Sequence, residues 1–278
     1  MTSQPIIRIE GLHHHYEEGV PALAGVNLAI AEGALLAVVG QNGSGKTTLA
    51  KHLNGLLKPT SGRVVVDGVD TAGVSVSRLA LTVGYLFQNP DHQIFCATTR
   101  EEVAFGLRNL GLAPEEVERR TEEALADFAL ARYAETPPAV LGFGLRRLVT
   151  VASVFAMRQR ILVLDEPTTG LDWRMANDLL RRVAALHAAG HTILLITHDM
   201  RLVAAYAPET LVMHEGRILA HGPTREILAD AAAMRGAHLT PPQVTRLAQA
   251  LAPHGLPGDV LTVDEFCRAY RAALGGTP

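Results

Sequence analysis

The stretch Gly40-Gln41-Asn42-Gly43-Ser44-Gly45-Lys46-Thr47-Thr48 satisfies the pattern G-x-x-x-x-G-K-[ST] at every position. The apolar run Leu35 to Val39 precedes it and reads as a buried strand, and a helical stretch follows. Strand, glycine-rich turn and helix is the context in which this pattern holds phosphate. Gly40, Gly43 and Gly45 carry no Cβ, so the loop can curl and aim its N–H groups inward at one anion. The helix N-terminus near Lys46 adds roughly half a positive charge at the same place. Lys46 supplies a point charge for β- and γ-phosphates, and the Thr47 hydroxyl suits Mg2+, which accepts few protein oxygens.

Outward from this loop, 278 residues allow a large core in one or two domains. Hydrophobic residues make up 48% and charged residues 19%, a globular balance. A net charge of −3 gives no ground for general electrostatic binding to nucleic acid. Cys96 and Cys267 show no metal or disulfide spacing, as expected in a reducing cytosol. No apolar run reaches the ~18 residues of a spanning helix, and Met1-Thr2-Ser3-Gln4-Pro5 lacks a signal pattern. Work at a membrane is therefore expected to pass through a partner.

Strands are expected at residues 6–10, Leu28 to Ile30, Val64 to Val66, Val83 to Phe87, Ile161 to Leu164, Thr192 to Ile196, and in a hairpin turning at Glu215-Gly216. Thr47 to Leu57 reads as the helix leaving the phosphate loop, with Pro59 as its stop, and Ala176 to Ala188 as an amphipathic helix ended by Gly190. The alternation argues for an α/β fold with a mainly parallel sheet covered on both faces. Its core comprises residues 1–90 and 156–225. Residues 91–155 read as a helical insert, in which Val117, Leu125 and Phe128 share a face. Residues 226–278 form a C-terminal helical extension. There Thr240-Pro241 opens a helix with Val244, Leu247, Ala248 and Leu251 on one face, and Thr262-x-x-Glu265 forms a capping box before Phe266, Ala269, Tyr270 and Leu274. Such an extension suits dimerisation or packing on the core. His13-His14-His15 can offer at most His13 and His15 to one ligand, since neighbours on a strand point to opposite faces, and a polar strand edge is expected instead.

Asp165 ends a buried strand, where a carboxylate holds Mg2+ beside a phosphate loop. The adjacent Glu166 points elsewhere and can deprotonate a water. Gln88 and His198 also stand at strand ends, and Tyr16, an aromatic ahead of the loop, offers a flat face to a purine. Together these residues would clamp ATP: Lys46 and the loop amides of Gln41, Asn42, Ser44 and Thr48 on the anion, Thr47, Gln88 and Asp165 around Mg2+, Glu166 on water and His198 on the γ-phosphate.

Gly40–Thr47, Gln88, Asp165-Glu166, Thr169-Gly170-Leu171-Asp172 and His198 resemble the Walker A, Q-loop, Walker B, D-loop and H-loop of an ABC-transporter ATPase, over roughly residues 6–225. The resemblance implies a P-loop NTPase core with an antiparallel N-terminal β part. Phe87-Gln88-Asn89-Pro90-Asp91-His92-Gln93-Ile94-Phe95, Glu101-Glu102-Val103-Ala104-Phe105-Gly106 and the tail at Pro242-Gln243-Val244 and Thr262-Val263-Asp264-Glu265 are similar to the energy-coupling factor ATPases, which drive uptake of vitamins or of cobalt and nickel ions. That family implies two ATPase subunits sandwiching two ATPs, an integral-membrane partner gripped at Gln88–Phe95, and a peripheral place on the cytoplasmic face of the membrane. In it, the C-terminal extension helps to join the two ATPases.

One stretch departs from the family pattern. The signature Leu-Ser-Gly-Gly-Gln, which works on ATP bound to the other subunit, is here Leu141-Gly142-Phe143-Gly144-Leu145. Gly142 has no hydroxyl, and Phe143 puts a ring where close backbone approach is needed. The expectation is an asymmetric pair with a different ATPase that carries an intact signature. The alternatives are the ATPase of a conventional ABC transporter and a soluble or non-hydrolysing regulatory module. The Asn89–Phe95 stretch and the tail speak against the first, the lack of a long coiled-coil, zinc or duplicated-domain insertion against a soluble ATPase, and intact Glu166 and His198 against a non-hydrolysing module.

Overall fold

The computed structural model describes residues 5–16 and 19–273, so Leu274 of the terminal stripe lies outside the described residues. The strands are β1 Ile7–His15, β2 Pro21–Ile30, β3 Leu35–Val39, β4 Ser61–Val66, β5 Val69–Asp70, β6 Val83–Leu86, β7 Ile161–Asp165, β8 Thr192–Ile196, β9 Glu209–His214 and β10 Arg217–Pro223. The helices are α1 Lys46–Leu53, α2 Val76–Leu79, α3 Thr99–Asn109, α4 Pro114–Asp127, α5 Phe143–Met157, α6 Trp173–Ala188, α7 Met200–Tyr206, α8 Thr224–Ala229, α9 Ala231–Gly236, α10 Gln243–Ala250 and α11 Val263–Ala273.

Six strands form the central sheet in the order β10-β9-β3-β8-β7-β6, parallel except for the β9–β10 hairpin. An antiparallel sheet ordered β2-β1-β4-β5 lies over it. Strand alternation splits the central sheet between two cores. Leu36, Val38, Ile161, Val163, Leu194 and Ile196 face α1 and the antiparallel sheet. Leu35, Ala37, Val39, Leu162, Leu164, Ile193 and Leu195 face α3 to α7. Both faces are covered, so β3, β7 and β8 are buried end to end and apolar except for Asp165 at the end of β7 and Thr192 at the start of β8. Their C-terminal ends open on one side, where the phosphate loop, Asp165 and His198 gather.

Several expectations are corrected. Helix α1 stops at Leu53, not Leu57. Asn54 accepts the Leu56 N–H on its side chain and Gly55 takes a positive φ, ending the helix before Pro59 can act. The histidine run is not a strand edge, because β1 pairs with β2 and β4 on its two sides. His14 is buried there, edge-on to both His52 and Tyr16. In α10 the buried residues are Thr245 and Ala248, while Leu247 is exposed. Thr245 turns inward because its hydroxyl donates to the Val260 carbonyl at 2.6 Å. At Thr262 only half of the expected box forms. The hydroxyl accepts from Glu265 N–H at 3.3 Å, but the Glu265 carboxylate takes the Leu261 N–H. Leu228, Met234 and Leu261 of the extension join the α3–α7 core, so its first part packs on its own chain.

Candidate functional site

The phosphate loop bridges β3 and α1, and α1 starts at Lys46. Gly45 takes φ 99°, and a Cβ there would stand 2.8 Å from the Ala22 carbonyl oxygen, so this turn admits glycine alone without displacement. Behind the loop the β9–β10 turn acts as a brace: Gly216 N–H donates to the Ser44 carbonyl at 3.1 Å, and its own carbonyl accepts from Ala24 at 2.9 Å. Lys46 Nζ folds back onto the loop, donating to the Gly40 and Gln41 carbonyls at 2.7 Å each and to Ser44 Oγ at 3.4 Å. Burial lowers the Lys46 pKa, opposed by Glu166 and Asp165.

Thr47 Oγ1 donates to Asp165 Oδ2 at 2.8 Å across the cleft, and Tyr85 Oη reaches the same oxygen at 3.4 Å. Asp165 and Glu166 are both buried, and burial raises both carboxyls above the usual range. Glu166 takes φ 50°, a left-handed turn that a non-glycine residue adopts only under constraint. Its N–H is held by the Ile196 carbonyl at 2.9 Å. Glu166 Oε1 bonds His198 Nδ1 at 2.8 Å, while the His198 side chain stays 73% exposed.

A cleft of about 510 Å³ collects Tyr16, Asn42, Gly43, Gly45, Lys46, Thr47, Thr48, Gln88, Asp165 and Glu166 on its walls. Tyr16 is half exposed at its mouth, with its hydroxyl 3.1 Å from Thr48 Oγ1. Gln41 turns away, its amide donating to the His238 carbonyl at 3.3 Å. Asp172 caps α6 by accepting the Met175 N–H at 2.8 Å. Leu141 to Leu145 stand outside this cleft, at the start of α5, where Gly142 is an N-cap with no side-chain bond. The Phe143 ring covers Gly170: a Cβ there would meet Phe143 Cδ1 at 2.3 Å.

The donor set fits a hard divalent cation. Asp165 Oδ1 and Glu166 Oε2 are buried with no hydrogen-bond partner, beside a threonine hydroxyl and the side of Gln88. Orphaned carboxylate oxygens are costly unless something else satisfies them. Mg2+ bound there would neutralise charge on a triphosphate.

Two residues were missed by sequence reasoning. Tyr85 meets Asp165 because it alternates with Val83 onto the same face of β6. Arg147 is fully buried within the apolar α5 and donates to the carbonyls of Phe87 and Gln88. An arginine inside an otherwise apolar helical stripe was its one available signal.

The ABC transporter family profile matches residues 23–169. A putative ABC transporter ATP-binding protein of Caldanaerobacter subterraneus is 44% identical over 88% of this chain, which spans only 43% of that protein's length. The energy-coupling factor transporter ATP-binding protein EcfA of Methanothermobacter thermautotrophicus is 40% identical over 98% of this chain and 88% of its own. Among solved structures, cbiO1 of Clostridium perfringens, described as part of an ABC transporter complex, superposes with a TM-score of 0.73 at 33% identity, covering 90% of this chain and all of that one. With a profile that takes in just over half of its residues and a relative similar along nearly its whole length, the chain belongs to the ABC transporter family.

Proposed function

We propose that this chain is the ATP-binding and ATP-hydrolysing subunit of a membrane uptake transporter of the energy-coupling factor type. The observation that carries the reading is that Asp165 and Glu166, each with an unpartnered buried carboxylate oxygen (Oδ1 and Oε2), line one cleft with Lys46 and Thr47. Loop amides and Lys46 take the β- and γ-phosphates of ATP, releasing the Lys46 ammonium from the Gly40 and Gln41 carbonyls it occupies here. Thr47, Asp165 and Gln88 hold Mg2+. Tyr16 stacks on the base. Glu166 accepts the proton of a water as its oxygen bonds the γ-phosphorus. The bond from that phosphorus to the β–γ bridging oxygen breaks, and ADP leaves with the electron pair. His198 holds Glu166 in place and stands at the γ-phosphate.

Among the described residues no helix is long and apolar enough to cross a membrane. The proposed partner seat is an apolar groove of about 530 Å³ beside β6, lined by Leu56, Val76, Leu81, Phe87, Phe105 and Leu110. Phe95 stacks edge-on against Phe105 at 4.6 Å, and both rings are exposed. An integral-membrane component at this groove would place the chain peripherally on the cytoplasmic face. The cargo, a vitamin or a transition-metal ion, would then be chosen by that component.

Phe143 supports an asymmetric pair with a second ATPase bearing an intact signature. The test is to purify the chain from detergent-solubilised membranes and assay it with and without what accompanies it. Co-purification of a second ATPase and a membrane protein, with ATP turnover that needs both, is expected. Fast turnover by the chain alone refutes the asymmetric pair, and a chain that binds no Mg·ATP refutes the whole reading.

A further inference from the structure

Arg147 sits in the second turn of α5 with no solvent exposure, and no ion pair among the described residues includes it. A buried guanidinium without a carboxylate on it is costly, so its position carries a function or a specific backbone need. Its Nη1 donates to the Phe87 carbonyl at 2.7 Å, and its Nη2 donates to the Gln88 carbonyl. These are the two peptides at which the chain leaves β6, the edge strand of the central sheet, so no neighbouring strand serves them there. The guanidinium also feels the charges of Asp165 and Glu166.

Two further ties bind the same segment to the same helix. Gln93 accepts the Phe87 N–H on Oε1 at 3.3 Å and extends Nε2 to Ser153 Oγ at 3.4 Å. Arg146 Nε pairs with Asp91 Oδ1 at 3.1 Å. Helix α5 begins at Phe143, so its first three turns and the Gln88 segment form one stapled unit. Arg147 is its only buried, charged staple among the described contacts.

We infer that Arg147 is a positioning residue: by gripping the Phe87 and Gln88 carbonyls it fixes where the Gln88 side chain enters the cleft, and it ties the Mg2+ position to the start of α5. The inference rests on the proposed reading of Gln88 as a Mg2+ neighbour. Lysine at 147 keeps the charge but cannot fork to two carbonyls, and methionine removes both.

The experiment is equilibrium binding of a fluorescent ATP analogue to the full chain, first in EDTA and then titrated with Mg2+, for wild type, Gln88→Ala, Arg147→Lys, Arg147→Met and Gln88→Ala with Arg147→Met. Metal-free affinity should stay near wild type, because Lys46 and the loop amides are untouched. The Mg2+ concentration at half effect should rise about tenfold in Arg147→Met, the usual size for loss of an outer support of a metal site, and at least as much in Gln88→Ala, which removes the proposed Mg2+ neighbour itself. The double variant should show no further shift, and Arg147→Lys should fall between. If Arg147→Met does not fold, the Arg147→Lys shift alone decides. A lowered melting temperature with unchanged Mg2+ dependence in either Arg147 variant overturns the inference and reduces Arg147 to packing. Unchanged Mg2+ dependence in Gln88→Ala overturns the reading of Gln88 itself, and the coupling falls with it.

Discussion

Glu166 combines three liabilities: burial, a left-handed backbone and an unpartnered Oε2. A group in such a place is a candidate for function, because stability alone would remove it. Glu166→Gln keeps an acceptor for His198 but cannot take a proton. Turnover should fall about 10²- to 10⁴-fold while Mg·ATP binding persists, read as retained nucleotide after gel filtration. In the proposed role of base, Glu166 with its raised carboxyl would also set the pH dependence of the rate. As base it must be ionised, so the acid limb of the rate profile should lie above the ordinary carboxylate range. Stability follows the same sign. The folded chain holds this proton more tightly than the unfolded chain, so the Glu166 contribution turns unfavourable as pH rises through that range. Nucleotide-free Glu166→Gln should therefore melt higher than wild type at pH 7, and the gap should shrink as pH falls through the raised carboxyl's range and be gone below about 4.5, near the unperturbed glutamate value. A variant that melts lower at pH 7, in scans of both chains from pH 4 to pH 8, would contradict this account.

At the scale of elements, the acidic pair at the start of α3 shows how local pattern and long-range purpose differ. Glu101 completes a capping box with Thr98, a short-range feature that spacing alone can announce. Glu102 is buried, and its Oε2 accepts the N–H groups of Phe95 and Cys96 at 3.0 and 2.8 Å, closing the loop that leads to the proposed partner groove. Glu102→Ala strands both amides, so a loss of about 2–4 kcal/mol is expected in urea unfolding, together with faster hydrogen exchange at residues 95–96. Gly62 pins the antiparallel sheet. At φ 83° a Cβ there would stand 2.2 Å from the Gly11 carbonyl oxygen. Gly62→Ala should cost at least ~2 kcal/mol by strain and by loss of β1–β4 pairing, measured the same way. The strands β3, β7 and β8 and the phosphate loop were legible in sequence, because an apolar run and a fixed spacing depend only on neighbours. Arg147 on Gln88 and Tyr85 on Asp165 were not, since their partners lie 59 and 80 residues away. The end of α1 lies short of the expected one because Asn54-Gly55 stops it sooner than Pro59, and Leu247 is exposed rather than buried because Thr245 takes the inward place, bonded to a carbonyl that only the fold supplies.

For the whole molecule the decisive feature is a contrast between two ends of one chain. The proposed nucleotide cleft is lined by Lys46, Thr47, Asp165 and Glu166, with Thr47 bonded to Asp165 and His198 bonded to Glu166. The surface proposed to meet a second subunit's nucleotide starts with a bare N-cap at Gly142 and the ring of Phe143, 38% exposed and seated over Gly170. In a pair of identical chains both composite sites would carry this defect. A missing hydrogen bond to a charged phosphate is worth about 1.5–3 kcal/mol, or roughly ten- to a hundredfold in rate. Replacing both residues, Gly142→Ser with Phe143→Gly, supplies a hydroxyl at the N-cap, where serine also suits the helix, and removes the ring from the approach. The purified double variant alone should then hydrolyse ATP about ten- to a hundredfold faster than the wild-type chain alone. In a Glu166→Gln background it should elute as an ATP-dependent dimer at lower protein concentration. Equal rates for the two chains, with both folded and both binding Mg·ATP, would mean that Phe143 is not what limits the pair, and the case for an unlike partner would lose its physical basis.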